Sequence, residues 1–243
     1  MTHSLSLLPN TLIPQISSYL DSKTKRSLSM VDRRIHAVIL DTVRSIRVFP
    51  PRCFLFHRAP KDILIKVIGR YRNVETIIFG PLNKWDRSSH FGAKEVQYLK
   101  SLISYLESNR EIHPLSSVKK IQYREIAHNN FTVFDEIQAK KLNTRFLHSI
   151  GHPGLENIRI HTNQAGPIPR VIEIQPVLNN SPNLKTFVFH GFTPVRITYL
   201  SFARQSQLSK VQLLHWAGPA STIESLRQCK KLKELVIDYT IKA

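Results

Sequence analysis

The chain has 243 residues, 42% hydrophobic and 21% charged, the proportions of a soluble globular protein with one large or two small domains. Two cysteines, Cys53 and Cys229, exclude a disulfide framework and match no metal-ligand spacing, which leaves free buried thiols in a reducing compartment. Its 35 basic and 17 acidic residues give a net charge of +18, which favours an acidic partner.

No apolar run approaches the roughly 18 residues needed to cross a bilayer, and the first twenty residues lack the basic start of an export signal. The expected location is cytoplasmic or nuclear, with no membrane partner. Asn130-Phe-Thr, a formal glycosylation sequon, is expected to be idle.

Residues 8–41 read as a small helical unit. Leu8, Leu12, Ile13, Ile16 and Leu20 recur at helical spacing, and Ile35, Val38, Ile39 and Leu40 form a second cluster. Pro14 lacks an N–H, which only the cap and the first three helical residues can do without losing a bond, so the cap belongs at Thr11 or later. The stretch LSLLPNTLIPQISSYLDSKTKRSLSMVDRRIHAVILD resembles an F-box through Leu8-Pro9, Leu12-Ile13, Ile16, Tyr19-Leu20-Asp21, Leu28, Val31 and Arg33-Arg34-Ile35. The resemblance implies a three-helix motif over residues 4–42. It would dock on a Skp-type adaptor of a cullin-RING ubiquitin ligase through Leu8, Pro9, Leu12, Ile13, Ile16, Leu20 and Val31. Thr11, Pro14, Lys25, Arg26 and Asp32 depart from the family pattern, and the two basic residues remove apolar area from a small bundle.

From residue 43 a phrase recurs, with apolar residues at its first, fourth and sixth positions: VRSIRV from Val43, VETIIF from Val74, VKKIQY from Val118, LENIRI from Leu155, LKTFVF from Leu184, LSKVQL from Leu208 and LKELVI from Leu232. Its strict alternation and many β-branched residues predict seven half-buried strands. Helical stripes are expected around 63–68, 96–106, 137–150, 171–178, 197–202 and 223–226, and strand–helix alternation predicts an α/β fold with a parallel sheet. The phrases are 31, 44, 37, 29, 24 and 24 residues apart. The last two lie in the leucine-rich-repeat range. RYRNVETI, NSPNLKTF and QCKKLKEL are similar to the helix end that leads into each strand of that family. The resemblance implies an irregular leucine-rich-repeat solenoid over residues 43–243. Residues 80–93, carrying Trp85, and 162–170 read as loops. No polar cap follows Ile237; either Asp238 and the tail close the array or a partner covers it.

The residues between the phrase's apolar positions face outward, and they include Arg47, Lys120, Gln122, Arg124, Arg159, His161, His190 and Lys210. With Trp85, they are the candidate docking groove for an acidic or phosphorylated protein segment; a merely solvated basic face is the alternative. Arg124 and Arg159 fall on adjacent strands and could share a phosphate. Nucleic acid is the rival partner, although only Phe49 supplies an aromatic platform on this face. His148 and His152 lack the glutamate of a zinc protease motif, and no phosphate loop or nucleophile elbow occurs. No cofactor, metal or catalytic residue is expected; the chain reads as a non-catalytic receptor. Trp216 and Cys229 read as core residues.

Overall fold

The computed structural model of the protein describes residues 9, 11–29, 37–38, 41–48, 73–80, 93–124, 133–162, 171–197 and 200–239. The stripe at 63–68, both loop centres, Cys53, Phe49, the sequon, Leu8, Val31 and Trp85 lie outside them. At the N-terminal end α1 (Leu12–Ser18) and α2 (Ser22–Ser29) are followed by helical residues at 37–38 and 41–42. Thr11 holds the cap position of α1 as its sequence predicts, but its backbone is already helical and its side chain makes no capping bond. Pro14 then falls in the first turn, where no N–H is missed. Ile13 is 2% exposed and packs against Leu28 and Val38.

The remainder is α/β. Strands β1 (Ser45–Val48), β2 (Thr76–Phe79), β3 (Lys120–Arg124), β4 (Asn157–His161), β5 (Val171–Ile172), β6 (Thr186–Ile197), β7 (Lys210–Ala217) and β8 (Glu234–Tyr239) form one sheet. Its order is β1-β2-β3-β4-β6-β7-β8, with β5 pairing the far half of β6, and every pairing is parallel. Each predicted phrase supplies one of the seven strands on the main path.

One hydrogen-bonding unit repeats along the sheet. Before β3, β4, β6, β7 and β8 the chain makes a turn closed by an N–H to the carbonyl three residues back, from Val118, Leu155, Leu184, Leu208 and Leu232 to Leu115, His152, Ser181, Gln205 and Cys229. The two N–H groups that open each new strand then share one carbonyl on the strand before. Lys119 and Lys120 bond Glu75, Glu156 and Asn157 bond Lys119, and Lys185 and Thr186 bond Glu156. The pattern continues with Ser209 and Lys210 on Lys185, and Lys233 and Glu234 on Ser209.

One face of the sheet is covered by α3 (Ala93–Ser108), α4 (Val133–Ile150), α5 (Gln175–Asn180) and α6 (Ala220–Leu226). Leu99, Leu102, Ile103 and Leu106 of α3, with Leu142, Phe146, Leu147 and Ile150 of α4, join Ile77, Ile121, Ile158, Phe187 and Val211 of the strands in one core. Such apolar area contributes roughly 25 cal/mol per Å² buried. Ring contacts lock the layers: Phe79 to Phe146 at 5.0 Å and Phe187 to Phe202 at 5.4 Å. Trp216 and Cys229 are buried, as their slots predict, and burial raises the thiol's pKa.

Two expected helices are not formed as read. Residues 171–178 begin as β5 and become helical only from Gln175, while Ile197 ends β6 and Leu200 and Phe202 are buried in irregular chain. Short apolar runs fit a strand end or a buried turn as well as a helix, and here the sheet edge and core claim them.

Candidate functional site

The other face of the sheet carries the predicted outward residues, and the register assembles them into rows. The first row runs Ser45, Thr76, Lys120, Asn157, Thr186, Lys210 and Glu234; the second runs Arg47, Ile78, Gln122, Arg159, Val188, Gln212 and Val236. The third, at the carboxyl ends of β3 and β4, runs Arg124, His161, His190, Leu214 and Asp238. Arg124 and Arg159 project from neighbouring strands one step apart along the ladder. Val188 departs from the expectation: it is 5% exposed, enclosed on a crowded row between Arg159 and Gln212.

Electrostatics divide the face. Lys210 is bonded to Glu234 at 2.6 Å, and the Lys210 ammonium, followed by the Gln212 amide, holds the Glu234 carboxyl below its ordinary value. The acidic last strand thus neutralises the lysine beside it. Lys120, Arg124 and Arg159 are left as the permanent positive charges nearer the centre of the sheet.

The third row is continued by a residue outside the phrase. His215 lies at a register irregularity between Leu214 and Trp216 and has a φ of 52°. Its ring stacks on His190 with centroids 5.9 Å apart, its Nδ1 stands 3.8 Å from Asp238 Oδ2, and His190 in turn meets His161 at 5.6 Å. Three imidazoles therefore line up across β4, β6 and β7. At the other end, Gly80 has a φ of +120°, and a Cβ there would come within 2.6 Å of the Arg124 carbonyl, so glycine is required for β2 to approach β3.

A second histidine pair lies in the core. His152 occupies the buried position of the repeated turn, 2% exposed, stacked on His113 at 5.0 Å. His113 accepts the Leu115 N–H at Nδ1, so its Nε2 carries the proton and donates to the Ser149 carbonyl. Neither nitrogen of His152 has a partner among the described residues. Burial first, and the His113 ring second, lower the His152 imidazole to about 4. Burial also lowers His113. In the sequence His152 fits no zinc protease motif, and its alignment with Leu115, Ser181, Gln205 and Cys229 in the repeated turn is the signal that marks it as buried.

On α1, Leu12 and Ile16 are each 40% exposed and Tyr19 is 89% exposed. Leu12, Ile16 and Tyr19 fall on one helical face, while Ile13 and Ser17 turn inward. Pro9 is exposed and accepts the Leu12 N–H, and Leu20 is half-buried. Of the residues named for adaptor contact, Ile13 serves the helical unit's own core. The Arg47 side chain lies outside the description.

Among the described residues there is no cluster of three or more His, Cys, Asp or Glu able to hold a metal, and no helix long and apolar enough to cross a membrane. The chain matches no protein-family model and no curated protein sequence.

Proposed function

We propose that the protein is the substrate-recognition subunit of a Skp-cullin-F-box type ubiquitin ligase and is itself non-catalytic. In this reading residues 4–42 are an F-box that binds the Skp-type adaptor, and residues 43–243 are an irregular leucine-rich-repeat solenoid. The observation that carries the proposal is the inverted face of α1: Leu12, Ile16 and Tyr19 exposed on one side while Ile13 is buried on another. An apolar stripe left in water is unfavourable at roughly 25 cal/mol per Å², and a partner's apolar surface would remove that cost. The F-box resemblance identifies the partner. The repeated turn and its shared carbonyl support the solenoid reading, and the basic outward rows support an acidic or phosphorylated protein as cargo.

A binding module for nucleic acid, without a ligase role, is less well supported. Among the described outward positions there is no Phe, Tyr or Trp on which bases could stack. The test is co-purification with a Skp-type adaptor. Leu12→Ala with Ile16→Ala is expected to abolish capture while the circular dichroism spectrum and melting temperature are preserved. Failure of the unaltered chain to bind any such adaptor would sink the ligase reading.

A further inference from the structure

Among the described residues, His215 is the one non-glycine with positive φ, a conformation that disfavours a side chain bearing Cβ. The irregularity beside it lets Trp216 enter the core, but a bulge alone is best served by glycine. Burial does not explain a histidine there, because its side chain is 43% exposed, and its carboxylate neighbour is 3.8 Å away. What the bulge accomplishes is placement. Simple alternation after Leu214 would turn residue 215 toward the helices; instead its ring stands in the outward row beside His190.

We infer that the row Arg124, His161, His190 and His215 is a proton-gated dock for an acidic protein segment. The inference rests on the outward face being the docking surface and names the chemistry and regulation of that surface. The charged and titratable groups that the described strands bring to the row are Arg124 on β3, His161 on β4, His190 on β6, His215 on β7 and Asp238 on β8. With neutral imidazoles the guanidinium and the carboxylate offset each other. Each proton taken up then adds a positive charge to a line with ring spacings of 5.6 and 5.9 Å. Imidazole is the side chain whose charge can change between pH 5 and 8. An anionic segment bridging the rings favours the protonated forms, and by linkage it binds more tightly as the pH falls. An acidic peptide fits this row better than nucleic acid because the row offers no stacking platform beyond its own rings.

The test measures dissociation constants at fixed 0.15 M salt between pH 7.5 and 5.5, on the full chain with its adaptor bound if one is captured. The probes are a glutamate-rich peptide and a singly phosphorylated peptide of otherwise matched sequence. For the glutamate-rich peptide, whose carboxylates stay ionised over this range, up to three charge pairs at about a factor of two each predict a several-fold gain in affinity, and the gain is smaller for the phosphopeptide, whose phosphate itself takes up a proton near pH 6. The two arms show which anion is preferred. His190→Asn is expected to remove most of the gain. His215→Gly is expected to keep or raise the melting temperature, since glycine suits that φ, while reducing the gain. If His215→Gly unfolds the chain and His215→Asn, which tolerates the left-handed region, keeps the gain intact, the ring is filler and the proposal fails. Affinity independent of pH overturns it as well, and so does tighter binding of a single-stranded oligonucleotide run as a third probe under the same conditions. Loss of adaptor capture through α1 leaves this measurement untouched, so the two readings fail separately.

Discussion

Acidifying the protein should cost it stability through His152 before its carboxylates begin to titrate. The imidazole is lowered from 6.5 to about 4 by burial and by the adjacent His113 ring. The unfolded chain therefore takes up this proton first. The His152 contribution is complete above pH 6.5, falls away as the pH drops toward 4, and changes no further below that. A shift from 6.5 to about 4 corresponds to about 3 kcal/mol at 1.36 kcal/mol per unit, a large share of the roughly 5–15 kcal/mol that holds a domain folded. His152→Leu isolates the effect. The same turn position accepts Leu115, so leucine suits the repeat, and it removes both unpartnered ring nitrogens. Urea unfolding followed by circular dichroism at pH 7.5, 6.5, 5.5 and 4.5 should show the unaltered chain losing stability steeply over the last three points. The variant should lose markedly less. Parallel pH profiles for the two proteins would refute the argument, because the remaining acid sensitivity is common to both.

Two further substitutions probe the outward face. Gly80→Ala forces a Cβ against the Arg124 carbonyl at a φ of +120°; a loss of about 1–3 kcal/mol is expected in chemical denaturation, accompanied by weaker binding of acidic peptides as Arg124 is displaced. Glu234→Gln removes the carboxylate that engages Lys210 and Gln212. It should raise acidic-peptide affinity about twofold, as one exposed charge pair is released, and leave the melting temperature essentially unchanged.

The main strands are legible in the sequence for a physical reason. Through the middle of the sheet one face of each phrase lies in the core, so alternation marks both the strand and its register, and Ile121, Tyr123, Ile158 and Ile160 turn inward as the pattern requires, whereas Leu235 on the last strand is 43% exposed. The pattern stops where that constraint stops. Beyond His190, β6 continues through Gly191 and Pro194 with a register shift, and no alternation announces it. Proline cannot donate to the ladder, and the strand accommodates it at the irregularity. His161 and His190 each fall six residues after the first apolar residue of their phrase and were readable as neighbours. His215 falls seven after Leu208 and reaches the row only through backbone geometry, to which residue spacing is blind. On α1 the apolar stripe is evident, but periodicity alone does not separate Ile13, which is buried, from Leu12 and Ile16, which are not.

The shared carbonyls of Glu75, Lys119, Glu156, Lys185 and Ser209 carry a consequence for how such a chain can change over evolutionary time. Because each strand is aligned by two N–H groups at its own entrance, its alignment is independent of how much chain precedes it. Intervals from 24 to 44 residues accordingly yield the same strand offset. Insertions and deletions between strands are absorbed without shifting the outward rows. The connecting segments can therefore diversify freely while the outward rows keep their spacing, and a copied unit joins the sheet already aligned.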